Sequence, residues 1–173
     1  MPRCLRHAAW LAAWLAFTTT AGADDVAGRV VAVHDGDTVT LLDAARVQHR
    51  VRIAGIDAPE KGQPFGEAAK ESLSRLVYGK QVEARCHKRD RYGREVCAIF
   101  VGRQDIGLEQ VRSGFAWWYR EYAREQTSGD RASYEAAELD ARSARRGLWR
   151  YANPEPPANW RRQHGRTAKA PPA

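Results

Sequence analysis

The chain has no glycine-rich loop to cradle a nucleotide phosphate, no histidine–cysteine spacing suited to zinc, and no internal repeat. These absences exclude P-loop nucleotide hydrolases, zinc-centred folds and solenoids. An EF-hand is excluded too, because Val39 and Leu41 stand where that loop needs oxygen ligands and glycine is missing at its sixth place. The apolar run Ala8–Phe17 is too short to span a bilayer as a stable helix. It follows Arg3 and Arg6 and precedes the Ala21-Gly22-Ala23 cleavage pattern, so residues 1–23 read as a secretory signal peptide. The mature protein is expected to begin at Asp24, secreted or periplasmic, with no stable membrane association.

Cysteine is scarce. Removing the leader takes Cys4 and leaves Cys86 and Cys97, an even number in an exported protein and hence a candidate disulfide. Acidic residues are outnumbered 21 to 28, a net charge of +7 that falls to +5 without Arg3 and Arg6. A basic exported domain suits a polyanionic partner such as nucleic acid. The 173 residues fit one domain, over 24–151, plus its ends. After Tyr151 the run Asn153–Pro157 is proline-rich, and Arg161, Arg162, Arg166 and Lys169 follow in a polar stretch. Residues 152–173 therefore read as a disordered basic tail, from which only Trp160 is suited to dock.

What is present is concentrated between His34 and Glu60. Asp35-Gly36-Asp37-Thr38 is a turn signal entering a strand, and Pro59 forces Ala58 to be extended. Val47, His49, Val51 and Ile53 alternate with Gln48, Arg50 and Arg52, which places Arg52 opposite that strand's apolar face. Further strands are expected at Val30–Val33, Thr38–Leu42, Val82–His87 and Glu95–Val101. A helix is expected from Ala69 to Val77, another over Ile106–Ser113, and a third along the stripe Tyr134, Ala137, Ala141, Ala144 and Leu148, capped by Gly147. Five strands joined mostly by short turns, with about three α-helices, predict an OB-fold, a five-stranded antiparallel β-barrel.

Asp-Gly-Asp alone is an ordinary turn, and Asp-Ala-Pro-Glu alone an ordinary strand exit. Together they bring Asp37, Asp57 and Glu60 to neighbouring strand ends beside Arg52. Carboxylate oxygens suit a hard divalent cation such as calcium, and an arginine fork suits a phosphate. Two further stretches bear on the same chemistry. The hairpin tip Asp90-Arg91-Tyr92-Gly93-Arg94 offers a second guanidinium in Arg94. Gly114–Tyr122 holds five aromatics, mostly packing, with Tyr122 a candidate to stack on a base.

Taken jointly, these pieces resemble the staphylococcal-type thermonucleases. The match rests on Asp35–Val39, Arg52 five places before Asp57, Asp57-Ala58-Pro59-Glu60, Tyr92-Gly93-Arg94 and Gly114-Phe115-Ala116, in that order. It covers roughly Val26 to Trp149. The resemblance implies an OB-fold calcium-dependent nuclease acting on DNA and RNA, expected to work as a monomer. Asp37, Asp57 and the Ala58 carbonyl would hold calcium, Glu60 would act as general base, and Arg52 and Arg94 would clamp the phosphate. Tyr92, Tyr119 and Tyr122 would line the substrate's path. Ala58 departs from the archetype's threonine, Arg120 stands at the position of its first nucleotide-packing tyrosine, and the loop after Glu60 is shorter. One alternative is a non-catalytic OB-fold that binds nucleic acid; another is an exported interaction domain. Neither needs Asp37, Asp57, Glu60, Arg52 and Arg94 together.

The hairpin also predicts the cysteine pairing. With Asp90–Gly93 as the loop, Arg89 faces Arg94, and counting outward sets Cys86 opposite Cys97. Directly opposed antiparallel residues lie about 4.5–5.5 Å apart at Cα, within a disulfide's reach.

Overall fold

The computed structural model describes residues 25–164, so the expected leader and the end of the tail, 165–173, lie outside the described residues. Strands β1 (Val26–Val33), β2 (Thr38–Asp43) and β3 (Gln48–Ile53) form an antiparallel meander, followed by the two-residue β4 (Ile56–Asp57). Helix α1 (Gly66–Val77) leads to the hairpin of β5 (Gln81–Arg89) and β6 (Glu95–Val101), extended by β7 (Gln104–Asp105). Helix α2 (Ile106–Arg112), strand β8 (Trp117–Trp118), helix α3 (Ser128–Ser143) and helix α4 (Pro157–His164) complete the chain. Strand order β3-β2-β1-β5-β6 closes on itself through a β3–β6 pairing, so the five long strands make the expected barrel. The closing seam is parallel, pairing Val51 with Glu95, Arg52 with Val96 and Ile53 with Cys97. That seam brings Arg52 beside the strand that follows the Asp90–Arg94 tip.

Alternation fills the barrel. Val30, Val39, Leu41, Val51, Ile53, Ala84 and Ile99 are buried inside, with Ala69, Leu73 and Val77 of α1 and Ile106 and Val111 of α2 also in the core. Val47, expected on that apolar face, is exposed instead. Its N–H donates to Asp43 Oδ1 in the turn before β3 begins. Gln110 of α2 is fully buried and satisfied on all sides. Its amide nitrogen donates to the carbonyls of Gly36 (3.0 Å) and Ala69 (3.1 Å), and its oxygen accepts from Ser72 (2.7 Å). One side chain thus ties both helices to the Asp-Gly-Asp turn. Gly36 is wedged there: a Cβ on it would lie 2.7 Å from the Cβ atoms of Ala58 and Ala69.

Two expectations about the elements change. The third helix stops at Ser143, because Arg145 and Gly147 both take positive φ (50° and 53°). Leu148 is buried all the same, from a 3-10 turn over Gly147–Arg150. The tail is ordered within the described residues: α4 occupies 157–164 and makes a fourth α-helix, where a disordered segment was expected. Pro157 lies at its start, the one place where proline's fixed φ and missing N–H cost a helix nothing.

The hairpin register also differs. Arg89 faces Glu95 and Lys88 faces Val96, one residue out of the expected count, and a bulge between Cys86 and Lys88 restores Cys86 opposite Cys97. The two cysteines form a disulfide with a Cα separation of 4.0 Å. Closing this short loop should stabilise the fold by roughly 2–3 kcal/mol. Reduction should therefore lower the melting temperature, and unfolded, unreduced protein should titrate no thiols at these positions. Two reactive thiols from Cys86 and Cys97 would contradict the pairing.

Candidate functional site

The Asp35–Thr38 turn, the Asp57–Glu60 corner, the hairpin tip and the segment after β8 open onto one groove of about 800 Å³. Asp35, Asp37, Arg52, Ala58, Glu60, Tyr92, Arg94, Tyr119 and Tyr122 all line it. Asp57 lies beneath, buried on the short β4–β8 ladder, where it pairs with Trp117. The aromatic segment therefore braces a carboxylate as well as forming a wall.

Each charged group is held by its neighbours. Asp37 is buried, with Oδ1 accepting from the Thr38 hydroxyl (2.9 Å) and Oδ2 from the Ala58 N–H (3.2 Å). Arg52, on β3, pairs with Asp57 Oδ1 (3.2 Å) and Asp37 Oδ2 (3.4 Å), and donates to the Ile56 carbonyl (3.1 Å). Burial alone would lower the Arg52 pKa, but the charges of Asp37 and Asp57 outweigh it and hold the guanidinium firmly protonated. Arg94 Nε donates to Asp90 Oδ2 (2.7 Å) while its Nη1 touches the Thr38 hydroxyl (3.3 Å). Thr38 thus links the second guanidinium to Asp37. Glu60 is placed through its backbone: its N–H donates to Gln63 Oε1 (3.0 Å), and Gly66 sits against its carbonyl so closely that a Cβ would lie 2.2 Å away.

The aromatics divide. Tyr119 and Tyr122 meet edge to face at 4.9 Å, with Arg52 near the first ring and Lys88 over the second (4.2 Å). Tyr92 is largely exposed at the hairpin tip, with Arg91 and Arg94 against its ring. Arg120 turns away, pairing with the buried Glu138 (2.7 Å) and covering Trp118.

Four contributors went unassigned in the sequence. Asp35 is the first carboxylate of Asp-Gly-Asp, and the motif itself was the available signal. Burial and then the charge of Asp37 push its pKa up to about 6. Thr38 and Gln63 act through hydrogen bonds that cross the fold. Arg161, from α4, donates to both oxygens of Asp57 (3.1 Å each) and to Glu60 Oε1 (2.6 Å). The pKa of Asp57 is raised, by burial first, with Arg161 and Arg52 opposing and Asp37 adding to the rise.

The donor set is all oxygen. Asp35, Asp37 and Asp57 crowd negative charge at one end of the groove, and the raised Asp35 and Asp57 mark a place where added positive charge is favourable. That chemistry fits a hard divalent cation. Among the described residues no three such side chains form a ready-made cage. Both oxygens of Asp57 are engaged by Arg161, so a cation binding there would meet that guanidinium.

Comparison with known proteins agrees with this arrangement. Residues 50–151 match the family model described as staphylococcal nuclease homologue. A protein of Haemophilus influenzae named "Uncharacterized endonuclease" is 42% identical over 78% of this chain and 72% of its own length. One of the same name from Escherichia coli O157:H7 is 37% identical over 79% and 86%. The "Micrococcal nuclease" of Shigella flexneri is 38% identical over 80% of this chain and 82% of its own. With the barrel, the Asp-Gly-Asp turn and the two arginines in their places, the chain belongs to the staphylococcal nuclease family.

Proposed function

We propose that this protein is an exported, calcium-dependent nuclease that hydrolyses phosphodiester bonds in DNA and RNA. The observation that carries the reading is the convergence of Asp37, Glu60, Arg52 and Arg94 on one open groove rimmed by Tyr92, Tyr119 and Tyr122, with Asp57 buried beneath it against Arg52. Asp37 and Asp57, with the Ala58 carbonyl, would hold calcium, which supplies Lewis-acid polarisation and charge neutralisation at the phosphate. Arg52 and Arg94 offer forked N–H donors to the non-bridging phosphate oxygens, strongest when the five-coordinate transition state gathers charge. Glu60 takes a proton from the attacking water, or orients it. The tyrosine rings give the flanking bases flat, sequence-tolerant surfaces. Export is supported by the leader pattern over residues 1–23 and by the disulfide.

The test is to incubate single-stranded DNA and RNA with the purified protein and calcium. Progressive shortening of both polymers is expected. Retention of full-length strands in a stable complex would favour an OB-fold that binds without cutting.

Asp35 adds a pH dependence. Its folded pKa of about 6 lies above the ordinary carboxylate value, so protonation stabilises the fold. That contribution is complete below about pH 4 and is lost as pH rises through about 6. A bound cation replaces the missing proton's charge. Calcium should therefore raise the melting temperature more at about pH 7.5 than at about pH 5. Equal shifts at both pH values would remove Asp35 from the cation's surroundings.

A further inference from the structure

The contact between Arg161 and the acidic end of the groove has no counterpart in the roles assigned above. Its guanidinium is bidentate on Asp57, with Nη1 on Oδ1 and Nη2 on Oδ2 at 3.1 Å each, and Nη1 also meets Glu60 Oε1 at 2.6 Å. Asp57 is thus gripped from two sides, by Arg52 and by Arg161. Two N–H groups of Arg161 and one of Arg52 fill three of the roughly four lone-pair sites of this carboxylate, which leaves a metal little room on it. Two guanidinia and a dication around one buried carboxylate would also repel one another. Arg161 and a cation therefore compete for Asp57.

The helix that carries Arg161 is lightly held. Of its eight residues only Pro157 is fully buried; Ala158, Asn159 and Trp160 are half-buried, and Arg161, Arg162, Gln163 and His164 are exposed. Before it runs Asn153-Pro154-Glu155-Pro156, pinned where Gln63 Nε2 donates to the Glu155 carbonyl (2.6 Å). Gln63 Oε1 in turn accepts the Glu60 N–H (3.0 Å), so the tail's anchor and the proposed base share one side chain. Little apolar burial and an end tied by charge describe a segment that opens at low free-energy cost.

Resting on the nuclease reading above, we propose that Arg161 is a tethered competitor for the cation: α4 latches the site by giving its guanidinium to Asp57 and Glu60, and releases them when a divalent cation and a phosphate enter. The latch holds the proposed base against a guanidinium while no substrate is present. It also sets the cation concentration at which the site becomes competent. The released cation head remains on a short tether beside an entering polyanion, which favours its staying off the carboxylates.

The test uses wild-type protein with its C-terminal segment intact, together with Arg161→Ala and Arg161→Lys. Calcium affinity is measured by titration calorimetry without nucleic acid, and hydrogen exchange is followed through residues 157–164 with and without calcium. Arg161→Ala should bind calcium about 10-fold more tightly than wild type, on the scale of losing a charged hydrogen-bonded pair. Arg161→Lys, which keeps the charge but not the fork, should fall between them. Calcium should speed exchange across 157–164 in the wild type. Equal or weaker calcium binding by Arg161→Ala, or exchange in α4 that calcium leaves unchanged, overturns the latch. Wild-type cleavage of single-stranded DNA is read in the same samples. Calcium bound in this order of affinity without cleavage overturns the nuclease reading and leaves the competition standing. No calcium binding by any of the three proteins overturns both.

Discussion

Glu60→Gln should lower turnover by about 100-fold or more while leaving nucleic-acid affinity nearly unchanged, as expected for loss of a positioned general base. Glu60 stands at a corner that the fold fixes without help from its carboxylate. Its N–H is held by Gln63, its carbonyl rests against Gly66, and Pro59 sets the chain direction before it. The amide of glutamine keeps the size and the backbone contacts, so the corner should remain in place. What is lost is the capacity to accept a proton from water, together with the negative charge that faces Arg161. A matching fall in affinity and turnover would instead make Glu60 a structural residue.

The second large effect concerns the two guanidinia. Arg52→Lys and Arg94→Lys keep the charge and lose the planar fork, and each should lower turnover by roughly 10- to 1000-fold. Their surroundings predict different side effects. Arg52 is buried against Asp37 and Asp57, so its lysine variant should also melt at a lower temperature. Arg94 is tied to Asp90 at the edge of the groove and touches Thr38, so its variant should keep near wild-type stability. Activities should be compared well below both melting temperatures. Near wild-type rates for both variants would move these arginines out of the chemistry.

The site was legible in the sequence to the extent that its chemistry is local. Asp-Gly-Asp, Asp-Ala-Pro-Glu and Tyr-Gly-Arg each carry their residues on one turn, and the alternation of β3 placed Arg52 correctly off the apolar face. The parallel β3–β6 seam was not legible, because no local pattern states which distant strand closes a barrel. The disulfide shows how local counting can reach the right pair through the wrong register. A bulge near His87 cancels the one-residue offset at the hairpin tip, and nothing in the composition of that strand marks it. Thr38 and Gln63 each add to a local hydrogen bond one that only the fold creates, to Arg94 and to the Glu155 carbonyl.

Arg161 is the instructive miss. Pro154, Pro156 and Pro157 with a polar, basic sequence carry the composition of a disordered tail. Yet Pro157 is a good first residue for a helix, and Ala158 to His164 contains neither proline nor glycine. Reading proline by its position rather than by its number would have allowed α4. Its destination, the acidic end of the groove, follows from charge complementarity that appears only once Asp57 and Glu60 are adjacent.

The most direct measurement of the central claim follows cleavage of single-stranded DNA and of RNA by purified protein in calcium, in excess chelator, and after calcium is restored. Chelation should abolish cleavage of both polymers and calcium should restore it. Magnesium should serve poorly, because it demands tight octahedral geometry and gives up its waters reluctantly. Undiminished cleavage in excess chelator would contradict a site in which Asp37 and Asp57 work by holding a cation.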